Sequence, residues 1–364
     1  MSPRRAAIAS LFFCIPAMAG ILTGCQSAEK WRESARNADS AFKQHQYDKC
    51  QTAIELAFTQ LGSGSQNGKE RFDLLVLSGN SYVEDGKYDQ AANAFQQALT
   101  LGETLYGPQS VRLSPALDGL RGARFRQKKY ELAESFARRL LSVQEAAYGA
   151  NDPRVEPALS AVISASCISG KCADETDLLQ RLLQIREKML GPDHKHTFVA
   201  RQLVAESYVH RRQYDKALAL YEENLQSARR ANSSLVAGAL INIGRVCQSQ
   251  KHYRQAQEKL QQALTLQQLS GNKSAISGTL IAIADVYKDE GKLEPAIRTY
   301  KEALEMAEKI PHKDQSVLTK YLEGYADALK KAGKQAQANQ VQQQIDRIAE
   351  EDEAEKSGSN KRAI

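Results

Sequence analysis

The chain has 364 residues, a formal net charge of +6 and 7% aromatic residues, and it contains a single tryptophan. Ala, Leu, Gln, Glu, Lys and Arg are abundant. All six are good helix formers, so the composition predicts an all-helical protein. The positive charges are spread along the chain without a run that would grip phosphates, which argues against nucleic-acid binding.

The N-terminus has the pattern of an export signal. Arg4 and Arg5 precede an apolar stretch at 6–22, which ends in Leu-Thr-Gly-Cys at 22–25. A positive segment followed by an apolar one is typical of signal peptides. The Leu-Thr-Gly-Cys ending resembles the bacterial lipobox. This resemblance implies that residues 1–24 are a lipoprotein signal peptide and that cleavage follows Gly24. An uncleaved membrane anchor is the alternative.

The same resemblance implies a lipid anchor on Cys25. Three acyl chains on that residue would hold the protein stably at a membrane, because each buried methylene contributes about 0.8 kcal/mol. Residues 25–30 would then be a short lipidated linker. Position 26 is Gln instead of Asp, which favours the outer membrane, facing the periplasm, over the inner membrane. We therefore expect a bacterial cell-envelope protein.

The rest of the chain repeats with a period near 42 residues. Eight related segments align at positions 47, 88, 130, 172, 214, 253, 293 and 335, with separations of 41, 42, 42, 42, 39, 40 and 42. In the second segment, Tyr88, Ala91, Phe95 and Ala98 form one apolar helical stripe. The small residue Gly79 precedes them on another helix and would allow close helix approach. Each unit is therefore predicted to be a helix–turn–helix that buries its apolar stripe by packing against the neighbouring units.

This pattern resembles the tetratricopeptide repeat. The best matches are residues 72–105, through Gly79, Tyr82, Tyr88 and Phe95, and residues 277–310. The family unit has 34 residues, and the longer period here is similar to that of kinesin light chains. The resemblance implies an all-α, right-handed superhelical solenoid of about eight units over 31–352. The unit at 156–189 departs most from the family pattern.

The loop LGPDHKHTF at 190–198 is the strongest candidate for a metal or acid/base site. Gly191 lies 42 residues after Gly149, which lies 42 residues after Gly107. A glycine after each second helix suits a left-handed C-cap. His194 and His196 supply two ligands where a zinc site needs three or four. We therefore interpret this loop as a capping turn and expect no metal.

Other motifs do not indicate catalysis either. The glycine-rich stretch at 62–70 fails as a phosphate-binding loop, because its glycines enclose five residues instead of four and Glu70 replaces the required Ser or Thr. No arrangement of nucleophile, base and acid stands out. We therefore expect no enzyme activity, no catalytic residue and no cofactor.

The four cysteines of the repeat region are of two kinds. Cys50 and Cys247 occupy repeat positions that hold Ala or Tyr elsewhere and read as buried apolar residues. Cys167 and Cys172 flank the turn of the degenerate unit. In an oxidising compartment they form a possible disulfide, and free thiols in the core are the alternative.

The family resemblance also implies where a partner binds. In tetratricopeptide proteins the first helix of each unit lines a concave groove. An asparagine amide there can brace a peptide backbone, and an arginine can hold a carboxylate. Carried over to this sequence, the partner-binding groove includes Asn80, Phe125, Arg126, Gln202, Glu206, Asn242 and Arg245.

These observations predict a lipid-anchored scaffold that binds a protein or peptide in its groove. The alternative is a structural envelope protein that self-associates, or an assembly factor similar to pilotins or outer-membrane assembly lipoproteins, acting through its convex or end surfaces. Residues 353–364 are charged, lack apolar periodicity and are expected to form a disordered tail.

Overall fold

A computed structural model describes residues 25–62, 67–231, 234–310 and 315–361. These ranges contain sixteen α-helices, three 3-10 helices and no strand. The predicted signal peptide therefore lies outside the described residues. The α-helices are α1 (Cys25–Lys43), α2 (Tyr47–Leu61), α3 (Gly68–Glu84), α4 (Tyr88–Tyr106), α5 (Ser114–Arg126), α6 (Tyr130–Tyr148), α7 (Glu156–Ile168), α8 (Thr176–Leu190), α9 (Lys195–His210), α10 (Tyr214–Arg230), α11 (Val236–Ser249), α12 (Tyr253–Ser270), α13 (Lys273–Asp289), α14 (Leu293–Ala307), α15 (Gln315–Lys331) and α16 (Gln335–Lys361). The 3-10 helices are Val111–Leu113, Pro153–Val155 and Cys172–Glu175.

Successive helices pair into hairpins. Helix α1 packs on α2, α3 on α4 and α5 on α6, and the same pairing continues from α9 to α16. The second helix of each of these hairpins also packs on the first helix of the next. The predicted fold class, an all-α solenoid of helix–turn–helix units, is confirmed.

The chain divides into two compact units, and the boundary lies between Ser169 and Gly170. The first unit holds α1–α7 and the second holds α8–α16. This boundary lies inside the range 31–352 predicted for the solenoid, and that range stays a prediction. The boundary falls at the turn of the degenerate repeat, where the residues that normally join the two helices of a hairpin depart from the family pattern.

The core consists of the apolar stripes that the sequence predicted. Phe95 and Tyr300, from the second helices of two repeats, are completely buried. Fully burying a side chain of this kind stabilises the fold by about 1.5–3 kcal/mol. The stripes of Ala, Leu and Ile around them are buried against the neighbouring helices. Most of the stability therefore comes from contacts between adjacent helices, as expected for a repeat protein.

The eight turns inside the repeats share one backbone conformation. A residue with positive φ stands in each of them, at His45, Gly86, Lys128, Gly170, Arg212, Lys251, Gly291 and Gly333. These positions reproduce the repeat separations of the sequence. The turn therefore has the same geometry whether or not a glycine occupies it.

The first and last helices reach into the predicted terminal segments. Helix α1 begins at Cys25, the first residue of the predicted linker 25–30, and helix α16 extends to Lys361, inside the predicted tail 353–364. Glu, Ala and Lys at 350–356 are good helix formers, so α16 continues through that stretch although its sequence has lost the apolar stripe. No helix in the described residues is long and apolar enough to cross a membrane.

The cysteines behave as two groups. Cys50 and Cys247 are buried free thiols, as predicted, and burial raises the pKa of both thiols. Cys167 and Cys172 are disulfide-bonded. Their pairing with each other stays the prediction made from the sequence.

Candidate partner-binding surface

The predicted groove residues all lie on first helices of repeats. Asn80 is on α3, and Phe125 and Arg126 are on α5, in the first unit. The second unit carries the remaining four residues, on α9 and α11: Gln202, Glu206, Asn242 and Arg245. We call these two sets the groove face of the first unit and the groove face of the second unit.

On the first unit's groove face, two polar side chains have open hydrogen-bonding capacity. Asn80 is half-buried and Arg126 is exposed. Within the described residues, neither side chain makes a hydrogen bond or an ion pair. Phe125 is different, because its ring packs edge-on against Tyr130 with 5.4 Å between the ring centres. The Phe125 ring beside Arg126 is therefore partly covered by Tyr130 of α6.

On the second unit's groove face, an acidic and a basic side chain lie near one buried tyrosine. The Nε2 atom of Gln202 donates a hydrogen bond to Glu206 Oε1 at 2.8 Å. Burial raises the pKa of Tyr221, the Glu206 charge raises it further, and the Arg245 charge lowers it. Both charges therefore act on the Tyr221 hydroxyl, although Glu206 and Arg245 come from different repeats.

Of these two charged residues, Arg245 has no ionic partner in the described part of the chain. Arg245 is exposed, and its guanidinium makes no ion pair within the described part of the chain. Asn242, one turn before it on α11, is half-buried and its amide is also unbonded within the same residues. An amide and a guanidinium thus lie side by side with their donors unused.

Sequence reasoning missed a second charged cluster on this face. Asp285 and Asp327 occupy the same repeat position as Glu206 and Arg245, with separations of 39, 40 and 42 along the chain. The hydroxyl of Tyr300 donates a hydrogen bond to Asp285. Lys288 Nζ lies 3.2 Å from Asp285 Oδ1 and 3.5 Å from Asp327 Oδ2.

The charged groups of this second cluster form ion pairs with one another. Lys331 Nζ lies 3.0 Å from Asp327 Oδ2, so both carboxylates have lysine partners. The signal in the sequence was an aspartate followed three or four residues later by a lysine on the same helix, at Asp285–Lys288 and Asp327–Lys331. Because these charges neutralise one another, this cluster stabilises the last repeats, whereas Asn242 and Arg245 keep free donors.

The loop of His194 and His196 has a structural role. His194 is the N-cap of α9, and its Nδ1 accepts a hydrogen bond from the His196 backbone N–H at 3.2 Å. Ser110 and Asp152, each 42 residues earlier than the next, cap the 3-10 helices of their loops in the same way. In this loop Asp193 pairs with Arg230 at 2.5 Å, and that hydrogen bond lowers the pKa of the Asp193 carboxyl.

The capping interpretation needs one correction. Gly107, Gly149 and Gly191 have positive φ values of 84°, 93° and 85°, but their ψ values are 156°, 149° and 165°. This is not the left-handed helical conformation that we expected. It is an extended region open essentially to glycine alone, and it turns the chain abruptly out of the helix. Within the described residues no group of three or more His, Cys, Asp or Glu could hold a metal ion.

Comparison with known proteins agrees with this geometry. Tetratricopeptide-repeat models match residues 74–105, 166–196, 197–269 and 278–310. These segments are tetratricopeptide repeats. They include much of the degenerate unit at 156–189, whose sequence departs most from the family pattern. None of the curated proteins compared with the chain matches it.

Two solved structures share the fold at low sequence identity, and a third has a lower structural similarity. RapI in its apo form is 17% identical over 84% of this chain and 85% of RapI, with a TM-score of 0.56. A signal-transduction ATPase with a tetratricopeptide repeat sensor, from Pyrococcus horikoshii, is 15% identical over 87% of this chain and 52% of that protein, with a TM-score of 0.53. A putative kinesin light chain from P. anserina is 16% identical over 54% of this chain and 96% of that one, with a TM-score of 0.44.

Proposed function

We propose that this tetratricopeptide protein is a lipid-anchored scaffold of the bacterial cell envelope that binds a partner polypeptide on its groove faces. The observation that carries the proposal is the pair Asn242 and Arg245, which lie three residues apart on α11 and whose side-chain donors are unused within the described residues. A structural cluster would satisfy its own charges, as Asp285, Lys288 and Asp327 do. Unused donors on one exposed helix fit a surface that completes its hydrogen bonds with a partner.

The chemistry of these side chains suits an extended peptide. The Asn242 amide can donate to a backbone carbonyl and accept from a backbone N–H. The Arg245 guanidinium can take a carboxylate in a two-point contact. Glu206, held in place by Gln202, would accept a donor from the same segment. The first unit offers a similar but smaller set in Asn80 and Arg126.

The location follows from the sequence of the N-terminus. Lipidation at Cys25 would tether the repeats to the outer membrane, facing the periplasm. The function proposed is binding without catalysis or cofactor. Self-association through other surfaces is the competing role, and the experiment must distinguish the two.

Photo-crosslinking in cells tests the groove. A crosslinking amino acid replaces Asn242 on α11, and the control replaces Gln262, an exposed residue on the second helix α12. We expect Asn242 to capture a distinct partner that Gln262 does not, and Arg245→Glu to abolish this capture. Lys195→Glu, an exposed charge change at the first residue of α9, should leave it intact.

The same experiment distinguishes partner binding in the groove from self-association. If both positions capture the same proteins, or if Arg245→Glu leaves capture unchanged, the groove proposal is wrong. If the captured protein is a second copy of this chain, the self-association role replaces it.

A further inference from the structure

Two first helices of the second unit, α11 and α13, carry related sequences on their accessible sides. Residues 238–245 read Gly-Ala-Leu-Ile-Asn-Ile-Gly-Arg, and residues 278–285 read Gly-Thr-Leu-Ile-Ala-Ile-Ala-Asp. The Gly, the Leu and both Ile residues recur at the same places. Helix α11 packs directly on α13, so the two segments form adjoining surfaces of one unit.

Each segment leaves one stripe of residues accessible. Within 237–247 of α11, the residues that are not buried are Gly238, Ile241, Asn242 and Arg245. Within 276–286 of α13, they are Gly278, Ile281 and Asp285. Spacings of three, four and seven place residues on the same face of a helix. We call Gly238, Ile241, Gly278 and Ile281 the apolar strip.

The two isoleucines give the apolar strip its binding surface. Ile241 and Ile281 are both half-buried and pack against the same core cluster. The core therefore holds the inner part of each side chain, while the outer part is open to solvent. Covering apolar surface stabilises a complex by about 25 cal/mol for each Å² removed from water. A large apolar side chain of a partner would gain this contribution.

Gly238 keeps the strip open beside Ile241. A Cβ atom added at Gly238 would meet nothing within 4 Å, whereas one added at Gly244 on the same helix would lie 2.9 Å from Leu260. Close helix packing therefore requires Gly244 but does not require Gly238. Glycine is also a poor helix former, so Gly238 contributes nothing to the stability of α11. What it provides is room for a side chain from another molecule.

Two opposite charges stand beside the apolar strip. Arg245 is exposed on α11, and Glu206 is half-buried at the equivalent repeat position of α9. Within the described ranges, neither of them forms an ion pair. Asp285, at the equivalent position of α13, differs because Lys288 Nζ lies 3.2 Å from its Oδ1. Of these three residues, Glu206 and Arg245 therefore keep their charges available to a partner.

This pair of charges limits what can bind. A segment of one sign would be attracted to Arg245 or Glu206 and repelled by the other. Both are satisfied only by a segment that carries an acidic and a basic residue. Exposed ion pairs contribute little affinity, whereas mispaired charges are costly. The charges therefore select the segment, and the apolar contact supplies most of its affinity.

We propose that the second unit binds an extended polypeptide segment that places a large apolar side chain on the apolar strip, a basic side chain at Glu206 and an acidic side chain at Arg245. This inference rests on the proposed function and specifies the chemistry of its partner. The amide of Asn242, which lies on α11 between Ile241 and Arg245, would hold the backbone of the segment.

Selection of random peptides displayed on phage tests the occupant directly. The bait is the full-length protein purified in detergent, and peptides that also bind the Gly238→Gln variant are removed. We expect the remaining peptides to combine a large apolar, an acidic and a basic residue far more often than the unselected library. Because a Cβ at Gly238 has open space, the variant should unfold at the same urea concentration as the parent or a higher one.

Titration of one selected peptide, labelled with a fluorophore, measures the contribution of the open space. Gly238→Gln should weaken its binding by about tenfold or more, because the new side chain occupies the place of the apolar residue. The matched control is Gly122→Gln on α5, where an added Cβ also meets nothing within 4 Å. That variant should bind the peptide as tightly as the parent.

A charge swap identifies the two charged contacts. Arg245→Glu should weaken binding several-fold, and a peptide whose acidic residue is replaced by lysine should recover the loss on this variant alone. Glu206→Lys should behave in the same way toward a peptide whose basic residue is replaced by glutamate. Lys195→Glu, an exposed change at the first residue of α9, should leave binding unchanged.

Several results would overturn the proposal. Selected peptides that lack the apolar residue or one of the charges would show a different partner chemistry. If the Gly238→Gln variant removes every peptide, the segment binds elsewhere. If no peptide is selected while a crosslinker at Asn242 captures a partner in cells, the groove binds a folded surface and the proposed function stands without this segment. If neither experiment gives a partner, both proposals are wrong.

Discussion

The ring of Phe95 fills the space that a side chain at Gly119 would need. Phe95 lies on α4 and is completely buried between Gly79 on α3 and Gly119 on α5. A Cβ atom added at Gly79 would lie 2.6 Å from the Phe95 ring, and one added at Gly119 would lie even closer. The two glycines therefore set how closely three successive helices approach one another.

Gly119→Ala should destabilise the first unit by about 2 kcal/mol, because the new methyl group forces the Phe95 ring or α5 to move. The matched control is Gly122→Ala on the same helix, where an added Cβ meets nothing within 4 Å. That variant should gain up to about 1 kcal/mol from the higher helix propensity of alanine. Urea-unfolding midpoints of both variants measure the difference. Equal midpoints would show that the Phe95 contact does not limit the packing.

A second prediction concerns the positive-φ residue of the third repeat. Lys128 has φ 61°, a conformation that Gly86 holds one repeat earlier with φ 77°. Lys128→Gly removes the steric cost of a side chain there, so we expect a stability gain of about 1 kcal/mol. Gly86→Ala should lose a similar amount. Thermal unfolding of both variants and the parent measures the two changes in stability. A loss of stability in Lys128→Gly would show that the Lys128 side chain makes a stabilising contact.

Much of this fold could be predicted from the sequence, because the same helix and turn positions recur in every repeat and a weak pattern in one repeat is supported by the others. The position of the turn at 45, 86 and 128 recurs with the same spacing as the aligned segments, so eight weak signals support one another. The pairing of Asp285, Lys288 and Asp327 was not readable. It depends on the lateral distance between α13 and α15, which the spacing along the chain does not give.

The cluster around Asp327 should make stability depend on pH. Burial opposes ionisation, but hydrogen bonds and charges from Lys331 and Lys288 lower the pKa of Asp327 below its ordinary value. A lowered folded-state pKa adds stability above the unfolded-state value of about 3.9, and that contribution is lost as the pH falls below it. The Asp327 side chain is 46% exposed, so the gain should stay below about 1 kcal/mol.

Asp327→Asn should therefore lower the urea midpoint of unfolding at pH 7. The difference in midpoint between parent and variant should decrease as the pH approaches about 3, where the parent carboxyl is also neutral. Urea titrations at a series of pH values measure this convergence. Asp346→Asn on α16 is a suitable control, because Asp346 is exposed and its Oδ1 accepts a hydrogen bond from the uncharged amide of Gln342. A difference that is constant with pH would exclude the charge as its cause.

His194 tests whether the loop at 190–198 is a cap or a metal site. His194→Ala removes the acceptor for the His196 N–H and should cost about 1 kcal/mol. His194→Asp should keep most of the stability, because Asp152 caps the preceding loop in the same way. Denaturation with and without zinc measures both effects. Zinc should change neither the parent nor the variants, and zinc stabilisation that disappears in His194→Ala would contradict the capping role.

Lipidation at Cys25 is the last prediction, and it determines where the protein acts. Cys25→Ser removes the sulfur that would carry the acyl chains, so cells grown with labelled palmitate should give no labelled protein. The same variant should leave the membrane fraction or accumulate as an unprocessed precursor. Cys50→Ser is the matched control, since Cys50 is a buried thiol of the first unit that cannot be acylated while folded. Label that persists in Cys25→Ser but disappears in another cysteine variant would place the anchor elsewhere. Unlabelled wild-type protein that still sediments with membranes would indicate an uncleaved N-terminal anchor instead.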